Sequence, residues 1–280
     1  MRQSQTRRLG DALNYLAFVV IVAFFITPIL WAVSLSIRTP AEIYMTELRL
    51  IPNNPTLANY AAVFANPQFI PFLLNGLQYA LAGSTGAMLI ASPAAYAFSR
   101  LPFRGRSTML IGVLALQMIS PLVIMIPLYR YFHALGLLNT RFGVSMVYIA
   151  VAVPIFTWML KGFLDAIPKA LDEAAMIDGC TRFGAFARVT LPLSLPGLTS
   201  AFLLTAIMGW SEFVIPFILM SDPSKLPISV GIYNFQATFG QTTTQIVAAA
   251  SVMAILPALV LFVLLQRFII GALLAGAVKG

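Results

Sequence analysis

The charged residues of this chain fall in clusters, and the uncharged apolar stretches between the clusters are long enough to cross a lipid bilayer. A helix needs about 20 mainly apolar residues to span the roughly 30 Å hydrocarbon core. Stretches of that order occur at 12–37, 69–99, 107–129, 142–160 and 246–266, and at 193–220 with Glu212 as its one charge. Composition agrees, with 60% of the 280 residues apolar and 9% charged, against roughly 45–50% and about 25% in an average soluble domain. The pattern predicts an all-α membrane protein with six transmembrane helices. The basic segment 1–11 precedes a stretch of full span length without a small-residue cleavage site, so it reads as a cytoplasmic N-terminus and not as a cleaved signal. The stretch 38–68 carries Glu42, Glu47, Arg49 and the run IPNNPTLANY and reads as an extracytoplasmic loop. A transmembrane domain of five helices then occupies 69–266, and 267–280 is a cytoplasmic tail.

Orientation follows from the basic residues, because Lys- and Arg-rich loops stay in the cytoplasm. With the N-terminus inside, twelve Lys and Arg fall on the cytoplasmic side and five outside, which predicts both termini in the cytoplasm. The same bias accounts for the net charge of +8 without a nucleic-acid partner. Cys180 is the single cysteine, which excludes an internal disulfide and a thiolate metal cluster. Neither a metal nor a cofactor is expected on this chain. Within the second span the run AGSTGAMLIASPAAYA offers small faces on which helices pack closely in lipid. Pro28 is expected to kink the first span or to loosen its outer end.

The longest charged loop, 161–190, is patterned as two short helices with a break between them. Pro168 suits a first helical turn. Spacing at 100° per residue puts Ile167, Leu171, Ala174 and Ala175 on one face and turns Glu173, Met176 and Ile177 elsewhere. Gly179 stands where a left-handed residue ends a helix. Thr181 can cap the next one, which sets Phe183, Phe186, Ala187 and Thr190 on one face ahead of Leu191-Pro192. Two readings stay open from the pattern: a solvated hairpin resting on the bilayer, or an ordered projection docked to a soluble partner through groups such as Met176 and Ile177.

Glu173-Ala174-Ala175, three residues, Gly179, nine residues and then Val189-Thr190-Leu191-Pro192 resembles the EAA loop of binding-protein-dependent ABC importers, with Val189 in place of isoleucine. The segment AAYAFSRLPFRGR, the cluster Trp210-Ser211-Glu212-Phe213 and the closing QRFIIGALLAGAVKG are similar to sugar-uptake permeases related to the smaller maltose-importer membrane subunit. Those proteins often have WNEF or WNDF, so Ser211 departs from them. The outer loop FQATFGQTTTQ keeps the family's FQ and FG landmarks without the aromatic often found just after them.

The resemblance implies the type I ABC importer permease fold, in the bacterial inner membrane, with a second homologous permease completing the pathway. Two cytoplasmic ATPase subunits would bind the loop at Glu173, Ala174, Ala175, Met176, Ile177, Asp178, Gly179, Phe183 and Phe186. The tail residues Val278, Lys279 and Gly280 would reach between those subunits, and an extracytoplasmic substrate-binding protein would deliver a sugar or sugar derivative. No GxxxxGK[ST] run is present, so ATP and Mg are expected on the ATPase and this chain is expected to be non-catalytic.

Glu212 stands alone in an apolar stretch, and a carboxylate at membrane depth should face protein or water. It is either a pathway or gating residue or a structural hydrogen-bonding group near the outer end of the fifth span. Tyr79, Trp210 and Tyr233 can stack on a sugar ring or simply pack. His133 reads as an ordinary loop residue and Cys180 as a small space-filler. A proton- or sodium-coupled carrier would need several intramembrane ionisable groups or paired broken helices, and Glu212 is the only clear charge inside a predicted span. An intramembrane enzyme would need a nucleophilic or metal-ligand constellation, and the predicted spans contain none.

Overall fold

The computed structural model of the chain describes residues 2–43, 49–238 and 244–277, and among them every regular element is a helix. In chain order these are α1 (Arg2–Ser36), α2 (Pro40–Ile43), α3 (Ala58–Ala65), α4 (Phe69–Arg100), α5 (Arg106–Ala115), α6 (Pro121–Ala134) and α7 (Arg141–Ala166). There follow α8 (Ala170–Ile177), α9 (Arg182–Ala185), α10 (Leu191–Leu193), α11 (Leu195–Ser211), α12 (Val214–Leu219), α13 (Ile228–Thr238) and α14 (Thr244–Ala277). Among the described residues, four helices are long and apolar enough to cross a membrane. The number is six if the bent pairs Arg106–Met118 with Pro121–Ala134 and Arg182–Leu193 with Leu195–Ser211 each count as one span. The chain divides into two compact units, 1–67 with 232–255 and 68–231 with 256–280.

In the first unit α1 continues past Pro28 to Ser36, with apolar side chains such as Leu13, Phe18, Phe24 and Leu30 exposed. The last carbonyls of a helix have no partner within it. Here the Asn59 amide of α3 donates to the carbonyls of Ser36 and Arg38, both at 2.8 Å. Thr56 N donates to the Ile37 carbonyl at 2.8 Å, and the Ser36 and Tyr60 hydroxyls meet at 2.7 Å. Glu42 is buried and accepts from Asn54 N at 2.8 Å. The stretch that reads as a plain loop therefore holds two short helices and a polar knot closing the end of α1.

The second unit is built on α4, α7 and α11. Ala80, Gly83, Ala87, Ala91 and Ala95 recur every three or four residues along α4 and are buried, which is the small face expected from the sequence. A Cβ on Gly83 would lie 2.9 Å from Tyr148 Cβ of α7, so the two backbones meet only because that position is glycine. Towards Arg100 the core becomes larger, with Phe156, Leu160 and Leu164 of α7 and Leu198 of α11 against Ala87, Ala91 and Tyr96. At the other end Asn139, in the left-handed region at φ 57°, accepts from Asp222 N at 3.0 Å, while Asn75 donates to the Ser224 and Leu226 carbonyls.

Two predicted spans are not continuous. The third, expected at 107–129, bends by 89° between Met118 and Pro121. Proline at the first position of α6 has no N–H and holds Ser120 extended (φ −57°, ψ 129°), so α5 cannot run on into α6. The fifth, expected at 193–220, stops at Ser211. Glu212 is extended (φ −66°, ψ 123°) and the chain resumes as the short α12.

Candidate docking loop and pathway breaks

The loop after α7 folds as two helices joined by an interlocked pair of caps. Gly179 has φ +89°, its N–H donates to the Met176 carbonyl, and Cys180 N donates to the Ala175 carbonyl at 3.0 Å. This is the paired hydrogen-bond pattern that ends a helix on a left-handed residue. Two residues later the Thr181 side chain accepts from Gly184 N at 3.1 Å and starts α9. The helix then widens into a π-helical turn, Phe186–Thr190, before α10. Such turns are rare and frequently lie at functional sites. Here Thr190 is carried inward and donates to Asp172 Oδ1.

Asp172 is the residue around which the loop is organised. It is 4% exposed, and Arg100, the last residue of α4, donates to its Oδ2 at 2.6 Å. Arg100 also donates to the Ile167 carbonyl at 2.9 Å, and Ser99 donates to Asp165 Oδ1 at 2.6 Å. The outward face carries the opposite chemistry: Ile177 is 86% exposed and Phe183 72%, with Met176 and Leu171 also exposed. The face that helical spacing gives to Ile167, Leu171, Ala174 and Ala175 is split: Leu171 and Ala174 are exposed, Ala175 is buried beside Asp172, and Ile167 packs on the core. The buried Arg100 guanidinium requires a counter-charge, and the Asp172 carboxylate turned inward supplies one.

The two broken spans form a second site. A cavity of about 460 Å³ is lined by Leu116, Gln117, Ile119 and Pro121 at the first break and by Glu212 and Ile215 at the second. Non-helical backbone at membrane depth is tolerated where it is enclosed by protein or lines a water-filled space. Side-chain hydrogen bonds are made at both breaks. Glu212 Oε1 accepts from Val214 N at 2.9 Å and Ile215 N at 3.1 Å, the Ser229 hydroxyl donates to the Glu212 carbonyl at 2.7 Å, and Gln117 donates to the Val151 carbonyl at 2.6 Å. A smaller cavity of about 240 Å³ lies beside it, with Ala80, Gly83, Tyr148, Thr205 and Glu212 in its wall.

Residues 83–271 match the family described as the binding-protein-dependent transport system inner membrane component. The chain belongs to this family. The permease is 33% identical over 271 residues to the sulfoquinovosyl glycerol transport permease of Agrobacterium fabrum, covering 97% of this chain and 95% of that protein. It is 32% identical to the trehalose/maltose transport permease of Thermococcus litoralis over the whole of both chains. Among solved structures it is similar to a bacterial ABC transporter involved in import of the acidic polysaccharide alginate, with a TM-score of 0.79 at 23% identity over 94% of this chain and 98% of the other. That likeness carries the fold.

Of the residues singled out in the permease for docking, Glu173, Ala174, Met176, Ile177, Asp178, Gly179 and Phe183 lie on the exposed side of the loop. Ala175 and Phe186 do not. Phe186 is 6% exposed and packs on the Tyr96 ring at 4.9 Å, so both belong to this chain's own core. Of the three aromatics that can stack on a sugar ring or simply pack, two are packed within this chain. Tyr79 is fully buried and gives its hydroxyl to the Lys225 carbonyl at 2.8 Å, and Trp210 is buried against Gly76. Tyr233 is exposed on α13. Val278, Lys279 and Gly280 lie outside the described residues. Arg100, Asp172 and Gln117 are not singled out by sequence, and Thr190 is named there only as part of the loop pattern. The signals for them were an arginine just before Leu101-Pro102, an acid immediately preceding the EAA triplet, and the Ser120-Pro121 pair that starts a new helix.

Proposed function

We propose that the chain is one permease subunit of an ATP-driven importer of a sugar or sugar derivative. It forms half of a pathway with a second homologous permease, docks cytoplasmic ATPase subunits through the loop 161–190, and receives substrate from an extracytoplasmic binding protein. Both termini lie in the cytoplasm of this reading, ATP and Mg are held by the ATPase, and the chain itself performs no chemistry. The sugar assignment rests on the named relatives, and the orientation rests on the basic bias of the loops. Glu212 contributes to the pathway by holding open the break in the fifth span.

The observation that carries the docking assignment is a loop in which Asp172 is buried while Ile177 and Phe183 stand in the open. Side chains of that kind at the centre of an interface carry most of the binding energy once a partner covers them. Ile177→Asp and Phe183→Asp are expected to insert normally and to lose co-purification with the ATPase. Retention of the ATPase by both variants sends the reading back to a hairpin lying on the bilayer.

A further inference from the structure

We propose that Arg100, Asp172 and Thr190 form a buried linkage that carries displacement of the docking helix α8 into α4, which makes Arg100 and Asp172 positioning residues for the transport step. The inference rests on the docking reading above. Its own support is geometric. α8 is a short helix whose buried polar side chain is Asp172, and that side chain is held from two directions, by Arg100 Nε at 2.6 Å and by the Thr190 hydroxyl. Arg100 extends the hold to the Ile167 carbonyl, and Ser99 beside it donates to Asp165, which Lys161 also contacts at 2.5 Å. The docking helix is thus fastened to the ends of α4 and α7 together.

From Arg100 the helix α4 runs without a break to Gly83 and Ala80, which line the smaller cavity beside Glu212. At 1.5 Å per residue that is a lever of about 25–30 Å. The chemistry of the joint suits a load. An apolar contact slides at little cost, whereas separating a buried ion pair leaves two uncompensated charges, so α8 and α4 move as one body.

The test uses the assembled transporter in proteoliposomes with its receptor and a transported sugar, and reads sugar moved per ATP hydrolysed. Asp172→Asn and Arg100→Met are expected to co-purify with the ATPase and to lower that ratio by about tenfold or more, the scale of a coupling between distant sites. The deciding arm is the double variant Arg100→Met with Asp172→Leu, which removes both charges and keeps an apolar core. If the pair only stabilises the fold, this variant recovers coupling; if it is a linkage, the variant docks and stays uncoupled. Thr190→Val, a milder change, should give an intermediate ratio. A wild-type ratio in the double variant overturns the proposal, and so does loss of ATPase co-purification across the set, which would make the clamp a device for shaping the surface alone. Failure of the docking reading is seen separately, in ATPase retention by Ile177→Asp and Phe183→Asp.

Discussion

The helix breaks at Gly179 and at Glu212 are capped in different ways and serve opposite surroundings. At Gly179 the hydrogen bonds are made by the backbone of the loop and by Thr181, so the break is complete in itself and the groups around it remain exposed. At Glu212 a carboxylate takes two N–H groups of the next helix, Ser229 covers the carbonyl, and the break forms part of a cavity wall. One interruption is a rigid corner that presents a surface, and the other keeps a span from closing over a space.

The largest effect is expected from breaking the first of these. A Cβ at Gly179 meets nothing within 4 Å, so the constraint there is the φ of +89° and not space. Valine in that region costs about 1–3 kcal/mol of strain, relieved by swinging α9 out of line. Gly179→Val should abolish transport and receptor-stimulated ATP hydrolysis together, while Gly179→Asn, which tolerates the left-handed region, should retain most of both. Equal loss in the two variants would point to contact at Gly179 in place of conformation.

Glu212 should respond to chemistry instead of backbone shape. Glu212→Gln keeps an acceptor for Val214 and Ile215 and is expected to lower uptake modestly. Glu212→Leu leaves those N–H groups unmatched at roughly 1–3 kcal/mol each and should lower it severely. Uptake measured side by side in cells separates this from a role for the charge itself, for which Gln and Leu would be equally damaging.

The smallest expected effect is at Thr181. Thr181→Ala removes one cap worth about 1 kcal/mol from a loop that the Asp172 clamp also holds. Receptor-stimulated hydrolysis should fall by a fraction, and a collapse as deep as that of Gly179→Val would mean that the clamp holds less than the geometry implies.

These sites differ in how far the sequence reveals them. Gly179 and Thr181 are legible because their reasons are local: a left-handed residue and a hydroxyl two positions on. The small face of α4 is legible because its spacing repeats along one helix. The inward face of α8 is not legible, because Asp172 is buried against Arg100, 72 residues away, and helical periodicity contains no such term. The breaks at Ser120 and Glu212 were read through as continuous spans because hydropathy does not change across them. Proline at 121 was the one local sign of the first, and the lone carboxylate of the second was noticed as a charge before its use as a cap was evident.

The central claim is that the exposed corner of α8 and α9 is covered by the ATPase, and proximity tests it most directly. Ile177→Cys in a Cys180→Ala background, paired in turn with single cysteines placed across the ATPase surface in membranes carrying the whole transporter, should form an adduct of permease and ATPase when treated with a short bismaleimide. The adduct should disappear when Gly179→Val is added. A cysteine at Ile177 that reacts freely with a monofunctional maleimide in the complete transporter, and gives no adduct with the ATPase, would contradict the account.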